Sequence, residues 1–357
     1  MTLIIAEAGV NHNGSDDLAF SLVDAAHQAG ANIVKFQTFK AKNLVTEDAQ
    51  QAEYQVTNSG QKESQYSMLK RLELSYETHH KLVKYCNELG IEFLSTAFDS
   101  ESLLFLVDDL GITRLKLPSG EITNAPLVLE HARTGCDLIV STGMATLSEI
   151  EQVLSVIAFG YINPEGNPTE EALQTAYFSE QGKQLLKDKV TILHCTTEYP
   201  APFNDINLNA MDTMKDAFKL EVGYSDHSAG IVVPIAAVAK GAVLIEKHFT
   251  VDKALPGPDH KASLDPIELK EMVDGIRIVE KILGDGIKGP RPSEVKNKVV
   301  ARKSLVAAQT IKQGEIFTEQ LISGKRPGDG IAPINFWKLL GTPATKDYLV
   351  GQLLDEK

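Results

Sequence analysis

Two histidines end consecutive apolar segments in the second half of the chain. His227 follows the apolar residues of KLEVG in the stretch GYSDHS (223–228), and His248 ends the next apolar segment, VLIEKH. If these segments are neighbouring strands, the two imidazoles can hold a divalent metal ion and leave positions open for substrate and water. Two protein ligands alone predict a weak, exchangeable metal site.

Other apolar segments also end in charged or hydroxyl groups. The cations are Lys35 and Lys116, and the hydroxyl groups belong to Thr96, Ser119, Ser141 and Ser225. Ammonium and hydroxyl donors together match a small molecule that carries a phosphate and a carboxylate. The carboxylates at such ends, which could hold sugar hydroxyls or move protons, are Glu7, Glu121 and Asp259. Any one of these residues alone would more simply cap a helix or face solvent, but their shared position favours a functional ring.

The segments that carry these residues repeat in a strand-then-helix order. Candidate strands are LIIAEA (3–8), NIVKFQ (32–37), IEFLSTAF (91–98), TRLKLPS (113–119), DLIVSTG (137–143), VTILHC (190–195), LEVGYS (220–225) and VLIEKHF (243–249). Most intervals hold a helical pattern that ends near a glycine, as in 16–30, 75–90, 99–111 and 146–160. The pattern predicts an α/β fold, a (β/α)₈ TIM barrel whose catalytic groups lie at the C-terminal ends of the strands. A doubly wound open sheet is the alternative, because periodicity does not reveal whether a sheet closes.

Three stretches interrupt the regular spacing. The long polar connection 40–74 follows a strand and is expected on the active-site side, whereas the insertion 161–189 precedes a strand and is expected on the opposite side. The Gly/Pro/charge-rich residues after 284 have the composition of a linker. The predicted organisation is a barrel domain at 1–284, a linker at 285–297 and a small domain at 298–357.

Composition limits the function further. The net charge of −13 argues against a nucleic-acid partner, and no apolar run approaches the length of a membrane span. The N-terminus lacks the pattern of a signal peptide, so a soluble cytoplasmic protein is expected. The three cysteines, Cys86, Cys136 and Cys195, form no CxxC pair and are expected to be small buried residues.

Several motifs resemble those of one family. They are AEAGVNHNG (6–14), KFQTF (35–39), STAFD (95–99), KLPSGE (116–121), STGMA (141–145), HCTTEYP (194–200), GYSDHS (223–228), EKHFT (246–250), GPDH (257–260) and KRPGDGI (325–331). In this order they are similar to the NeuB family of nonulosonic acid synthases. The resemblance implies a TIM barrel followed by a SAF (type III antifreeze-like) domain, in a domain-swapped homodimer. It also implies condensation of phosphoenolpyruvate with an N-acetylated mannosamine-type sugar and release of phosphate, with Mn²⁺ as the first choice of metal and Mg²⁺ or Co²⁺ as alternatives.

The resemblance gives roles to individual positions. His227 and His248 would be the metal ligands, and Glu121 would lie beside the reacting centre. Phosphoenolpyruvate would be held by Lys35, Thr96, Lys116, Ser119, Ser141 and Ser225, and the sugar by Glu7, Tyr199 and Asp259. Arg326 would reach the sugar's N-acetyl group in the other subunit. His194 is not required as a ligand, and either Asn58 or Gln61 could stand where the family has an asparagine.

The sequence is compatible with more than one sugar substrate and more than one class of reaction. The sugar could be N-acetylmannosamine, giving N-acetylneuraminate, or 2,4-diacetamido-2,4,6-trideoxymannose, giving N,N′-diacetyllegionaminate, and the sequence is somewhat closer to the second branch. A pseudaminic acid synthase is a further alternative. A Schiff-base aldolase or lyase would need no metal. A non-catalytic carbohydrate-binding protein is the most remote reading, because a barrel without activity has no need of buried charges.

Overall fold

Eight parallel strands form a closed barrel in the computed structural model, which describes residues 1–52, 55–56 and 62–355. The strands are β1 (Leu3–Gly9), β2 (Ile33–Thr38), β3 (Glu92–Ala97), β4 (Arg114–Leu117), β5 (Asp137–Ser141), β6 (Val190–Cys195), β7 (Glu221–Asp226) and β8 (Leu244–His248). Each strand pairs with the next in the chain, and β1 also pairs with β8. The (β/α)₈ barrel is therefore confirmed, and the doubly wound alternative is wrong because the sheet has no open edge.

Helices lie in the connections between the strands and after β8. They are α1 (Asp16–Ala29), α2 (Ala41–Leu44), α3 (Gln65–Leu72), α4 (Tyr76–Leu89), α5 (Ser100–Leu104), α6 (Ala125–Arg133), α7 (Leu147–Ile162), α8 (Glu170–Phe178), α9 (Glu180–Lys189), α10 (Ala210–Phe218), α11 (Val232–Ala239) and α12 (Pro266–Leu283). Ser75 caps α4 by accepting a hydrogen bond from Thr78 N, and Thr146 and Glu149 form a capping box on α7. No helix among the described residues is long and apolar enough to cross a membrane.

The barrel interior has two layers of different character. The lower layer is an apolar cluster that consists of Ile5, Ile33, Leu94, Ile139, Leu193 and Leu244. Two residues further along the same strands lie Glu7, Lys35, Thr96, Ser141, Cys195 and Glu246, all buried. Because side chains two apart in a strand face the same side, the upper layer also points into the barrel. The fold thus sets a layer of polar groups on an apolar floor.

The structure differs from the sequence prediction in two helical regions. The insertion 161–189, for which no elements are predicted, contains α8 and α9, and α9 leads directly into β6 at Val190. Thr169 and Ser179 cap these two helices by accepting hydrogen bonds from backbone N–H groups. In the helix predicted over 99–111, the second half is a π-helix, Phe105–Asp109.

The remainder of the chain, Asp285–Lys357, is a second compact unit. It contains α13 (Pro292–Ala301), the antiparallel strands β9 (Ser304–Ala307) and β10 (Ile322–Lys325), and α14 (Phe336–Leu339). Its separate core includes Leu305, Phe317 and Tyr348. Helix α13 begins inside the stretch predicted as linker, because Pro292 is at its first turn and Glu294 accepts a hydrogen bond from Arg291 N.

Candidate active site

A cavity of about 330 Å³ opens at the C-terminal ends of the barrel strands. The predicted site residues of the barrel all line it: Glu7, Lys35, Thr96, Lys116, Ser119, Glu121, Ser141, Tyr199, Ser225, His227, His248 and Asp259. The barrel therefore brings side chains from all eight strands or the loops that follow them to one place. The role of each residue remains a prediction.

Strand register explains which of these side chains become neighbours. Glu7 lies opposite Lys35 of β2 on one side and opposite His248 of β8 on the other. Thr96 lies opposite Lys116 of β4. Parallel strands in this register place the side chains at one depth in the barrel, so charges of both signs meet.

The two lysines of this layer are held in a buried ion-pair network. Lys35 Nζ lies 2.7 Å from Glu7 Oε2 and 3.6 Å from Glu246 Oε2. Lys116 Nζ lies 3.4 Å from Glu246 Oε1 and donates a hydrogen bond of 2.7 Å to Ser141 Oγ. Ser225 Oγ donates to the same Glu246 oxygen at 2.9 Å. Glu246 thus joins the two cations that face the cavity.

The two carboxyl groups of the network have pKa values that are shifted in opposite directions. Burial raises the pKa of Glu7 to about 7, although Lys35 opposes the shift. Burial alone would also raise the pKa of Glu246, but the ammonium groups of Lys116 and Lys35 lower it to about 2. Near neutral pH, Glu246 is therefore ionised and Glu7 is partly protonated. Burial also lowers the pKa of Lys116, so an anionic ligand beside this lysine would stabilise its charged form.

The two histidines face each other across the mouth, with 5.8 Å between their ring centroids. Burial lowers the pKa of both imidazoles, so both are neutral near pH 7. His227 Nδ1 donates to the carbonyl of Thr196 at 2.6 Å, which leaves Nε2 as an acceptor. His248 Nδ1 is buried and makes no hydrogen bond within the described part of the chain.

These imidazoles fit a divalent ion. A neutral imidazole nitrogen is the form that binds metal, and the buried, unpaired Nδ1 of His248 gains a partner if an ion is bound. No group of three His, Cys, Asp or Glu side chains suited to a metal occurs among the described residues. The protein can therefore contribute two imidazoles and leave the other coordination positions to water or substrate.

Tyr199 and Asp259 surround the histidine pair. Tyr199 Oη lies 3.1 Å from His227 Nε2, and its ring is tilted by 34° to that imidazole with 4.2 Å between the ring centroids. Asp259 Oδ2 lies 3.9 Å from His248 Nδ1. Burial raises the pKa of Asp259 to about 6. A phenol and a carboxyl group thus lie where a polar substrate beside the histidines would meet them.

Ser119 and Glu121 belong to a short 3₁₀ turn after β4. Ser119 Oγ lies 3.3 Å from Thr197 Oγ1, and Glu121 Oε2 accepts a hydrogen bond of 2.7 Å from Asn124. Gly143, with φ of +42°, lets the loop after β5 approach this turn, because an added Cβ would lie 2.5 Å from Ser119 Cβ.

The structure adds Glu246 and Gln37 to the polar lining. Both line the cavity, and Gln37 Nε2 donates to Glu7 Oε1 at 3.4 Å. The signal in the sequence is their spacing, since each lies two residues from a predicted site residue on the same strand. His194 does not line the cavity, and its Nε2 bonds to the carbonyl of Ile206 at 2.7 Å. Asn58 and Gln61 lie outside the described residues.

Arg326 belongs to the second unit. Its Nε donates a hydrogen bond of 3.0 Å to the carbonyl of Ala301, and the peptide bond to Pro327 is cis. Within its own unit the arginine is therefore fixed by one backbone contact and is exposed.

The fold and the cavity define a TIM barrel with a buried layer of lysines and carboxyl groups beside a histidine pair. The chain belongs to the NeuB family, which its residues 22–288 match. NeuB proteins are metal-dependent enzymes that condense phosphoenolpyruvate with a sugar.

Two named relatives and one solved structure are similar over most of the chain. The N,N′-diacetyllegionaminic acid synthase of Campylobacter jejuni subsp. jejuni serotype O:2 is 48% identical and covers 99% of both chains. The enzyme of the same name from Legionella pneumophila subsp. pneumophila is 45% identical over 98% of this chain and 92% of its own. The crystal structure of N-acetylneuraminic acid (sialic acid) synthetase from Leptospira borgpetersenii serovar Hardjo-bovis, in complex with citrate, is 32% identical with a TM-score of 0.66, covering 83% of this chain and 90% of that one.

Proposed function

We propose that this protein joins phosphoenolpyruvate to 2,4-diacetamido-2,4,6-trideoxymannose, releases phosphate and forms N,N′-diacetyllegionaminate. The observation that carries the proposal is the pair of buried lysines, Lys35 and Lys116, in one cavity with two neutral imidazoles. Buried cations need anionic partners, and the two carboxylates beside them only partly supply these at neutral pH. A substrate with a phosphate and a carboxylate completes the charge balance.

In this proposal phosphoenolpyruvate is bound by Lys35 and Lys116. The cations are supported by hydroxyl groups that line the same cavity and can donate to phosphate or carboxylate oxygens: Thr96, Ser119, Ser141 and Ser225. Lys116 Nζ and Ser141 Oγ are joined by a hydrogen bond of 2.7 Å. An anion that replaces this bond can accept a hydrogen bond from the ammonium group and another from the hydroxyl group.

The proposed metal ligands are His227 and His248, and Mn²⁺ is the first candidate ion, with Mg²⁺ and Co²⁺ as alternatives. An ion bound there supplies Lewis acidity toward the aldehyde oxygen of the open-chain sugar. The hydrogen bond from His227 Nδ1 to the Thr196 carbonyl holds that ring in one tautomer and orientation. Asp259 and Tyr199, beside the two rings, are positioned to hold the sugar hydroxyls, together with Glu7.

The bond changes follow from the two substrates. C3 of phosphoenolpyruvate attacks the aldehyde carbon of the sugar, the π electron pair of the C=O bond moves to the aldehyde oxygen, which takes up a proton and becomes a hydroxyl group, and positive charge develops at C2. Water adds at C2, and phosphate leaves with cleavage of its C–O bond, so that C2 becomes a ketone. We propose that Glu121, which lines the cavity, orients this water or accepts its proton.

The choice of sugar rests on two of the similar synthases. The two synthases at 48% and 45% identity are both named for N,N′-diacetyllegionaminic acid. N-acetylmannosamine is the second candidate, because the solved relative at 32% identity is an N-acetylneuraminic acid synthetase.

We further propose that residues 298–357 form a SAF domain and that Arg326 completes the sugar site of the other subunit in a domain-swapped homodimer. The test is complementation. Arg326→Ala and His248→Ala homodimers should each be nearly inactive, and mixed dimers made by co-refolding should regain one working site. No recovery in demonstrated mixed dimers would contradict the exchange.

The experiment that tests the function is a phosphate-release assay with phosphoenolpyruvate and each sugar, with the product mass determined. The proposal predicts sugar-dependent release and a product that contains the pyruvyl carbons. Sugar binding without phosphate release would favour a carbohydrate-binding protein instead.

A further inference from the structure

The cavity has one side that is apolar. This apolar wall consists of Val10, Phe39, Val45, Met68, Leu72 and Phe98. Its members belong to, or pack against, one small cluster of buried side chains that is separate from the main barrel core. Met68 is 3% exposed and Leu72 is 6% exposed, so the wall is packed and dry.

The wall is formed mainly by the long connection after β2 and by helix α3. Ser64 caps α3 by accepting from Ser67 N, and the buried face of the helix carries Met68, Leu69 and Leu72. The charged residues of α3 lie on its other side, where Lys70 pairs with Glu73. The helix therefore presents its apolar face to the cavity.

The connection is rich in charged residues, but none of those that the structure describes there lines the cavity. Between residues 39 and 72, the described residues that line the cavity are Phe39, Leu44, Val45, Gln55, Gln65, Met68, Leu69 and Leu72. None of these is charged. The lysines, the imidazoles and the carboxyl groups that line the cavity come from other strand ends and loops.

This division of the cavity orients a sugar. The aldehyde end must lie among the charged and imidazole groups, because bond formation takes place there. The distal carbons then extend toward the apolar wall. A hydroxyl group buried against the wall would lose water without gaining a partner, whereas a methyl group would be stabilised there.

We propose that the apolar wall selects the sugar by packing against a C6 methyl group and the methyl of a C4 acetamido group. The inference rests on the proposed function and specifies which part of the cavity chooses the substrate. The amide side chain of Gln65 lines the same side and offers a donor and an acceptor to the polar atoms of the acetamido group. N-acetylmannosamine carries hydroxyl groups at both positions, so the wall disfavours it.

The size of the preference is limited by the chemistry of an apolar pocket. Such a pocket rejects an added hydroxyl by about 10²-fold rather than absolutely. The wild-type protein should therefore favour 2,4-diacetamido-2,4,6-trideoxymannose over N-acetylmannosamine by about 10²-fold in kcat/KM.

The test is the ratio of kcat/KM for the two sugars in Met68→Gln and Val45→Thr. Met68→Gln places an amide in the wall, and Val45→Thr adds a hydroxyl at a half-buried position with little change of shape. Each variant should lower the preference for the trideoxy sugar, by about tenfold in Met68→Gln, because the new polar group can pair with a sugar hydroxyl. The KM for phosphoenolpyruvate should stay near the wild-type value.

Two control variants separate selection from general damage. Met68→Leu keeps the wall apolar and should keep the wild-type ratio. Met211→Gln buries the same amide in α10, away from the cavity, and should also keep it. Equal losses for both sugars in Met68→Gln and Val45→Thr, or a wild-type protein without preference, would overturn the inference. If the wild type released no phosphate with either sugar, the proposed function would be overturned as well.

Discussion

Lys247 and Asp226 form a buried ion pair, with 2.7 Å between Nζ and Oδ2, on the face of the strands that points away from the cavity. The two residues are opposite each other in the β7–β8 register, and each directly precedes one of the two cavity histidines. Lys247 also donates to the carbonyl of Ser228, and Asp226 accepts from Ser228 N at 2.9 Å. The ion pair thus fixes the two strand ends from which His227 and His248 project.

Removing the lysine should therefore damage both stability and metal binding. We expect Lys247→Met to lower the free energy of unfolding by about 3–5 kcal/mol, because it leaves Asp226 buried without its cation. Urea unfolding measures this change, and titration with Mn²⁺ measures the affinity of the folded variant. The matched control is Lys240→Met, whose ion pair with Asp212 is partly exposed and should contribute less than about 1 kcal/mol. Similar losses of unfolding free energy and of Mn²⁺ affinity in Lys247→Met and Lys240→Met would contradict the positioning role of Lys247.

A second prediction concerns the metal ligands. His248→Ala should abolish turnover and weaken Mn²⁺ binding, because one of only two proposed protein ligands is lost. The fold should be retained, since the histidine lies at the cavity mouth rather than in the apolar core. His194→Gln is the control, because that ring bonds to the Ile206 carbonyl and does not line the cavity. If His248→Ala binds Mn²⁺ as the wild type does, the assignment is wrong.

A third prediction concerns Lys116 in the proposed phosphoenolpyruvate site. Lys116→Met removes a buried cation and should lower kcat/KM for phosphoenolpyruvate by about 10²–10³-fold, as expected for a donor to developing charge. Steady-state kinetics at saturating sugar measures the effect. Lys42→Met, on an exposed lysine outside the cavity, should leave the constants unchanged. Unchanged kinetics in Lys116→Met would place phosphoenolpyruvate elsewhere.

A fourth prediction concerns pH and a histidine outside the active site. Burial lowers the pKa of His79 from 6.5 to about 4, and the ring is held by Thr38 Oγ1 and the Ser75 carbonyl, each at 2.8 Å. The folded state prefers the neutral ring, so the unfolded state binds more protons between these two pH values. Stability should therefore fall as the pH decreases from about 6.5 to 4, with His79 contributing about 3 kcal/mol to the loss.

The measurement is urea unfolding in EDTA at several pH values for the wild type and His79→Gln. Other buried histidines also contribute to the wild-type slope, so the difference between the two proteins isolates His79. The variant should lose less stability on acidification. Parallel curves for the two proteins would contradict the assignment.

The sequence predicts the barrel and most of the cavity for one physical reason. In a barrel of parallel strands all C-terminal ends meet, so polar residues at the ends of apolar segments must converge. Lys35, Ser141 and His248 could be assigned to one site without knowledge of any distance. Closure of the sheet could not be predicted in this way, because it depends on pairing between β1 and β8 at opposite ends of the barrel domain.

Other features depend on side-chain contacts that cannot be predicted from the periodicity of apolar residues. Glu246 is visible as a polar strand-end residue, but its place between Lys35 and Lys116 follows only from the barrel register. The apolar wall involves Met68 and Leu72, whose helix lies in a connection that reads as polar overall. Helices α8 and α9 were not predicted either. Leu173, Ala176 and Tyr177 do have helical spacing, but the apolar runs in 161–189 are short and the residues around them are mostly polar.

The central claim is that the cavity condenses phosphoenolpyruvate with a sugar by using a metal ion. The most direct measurement is the rate of phosphate release from phosphoenolpyruvate with 2,4-diacetamido-2,4,6-trideoxymannose, before and after exhaustive treatment with EDTA and after addition of Mn²⁺. We predict release only when the sugar is present, loss of release with EDTA and recovery with Mn²⁺. Sugar-dependent condensation that persists after complete metal removal would contradict this account and would favour a Schiff-base mechanism at one of the buried lysines.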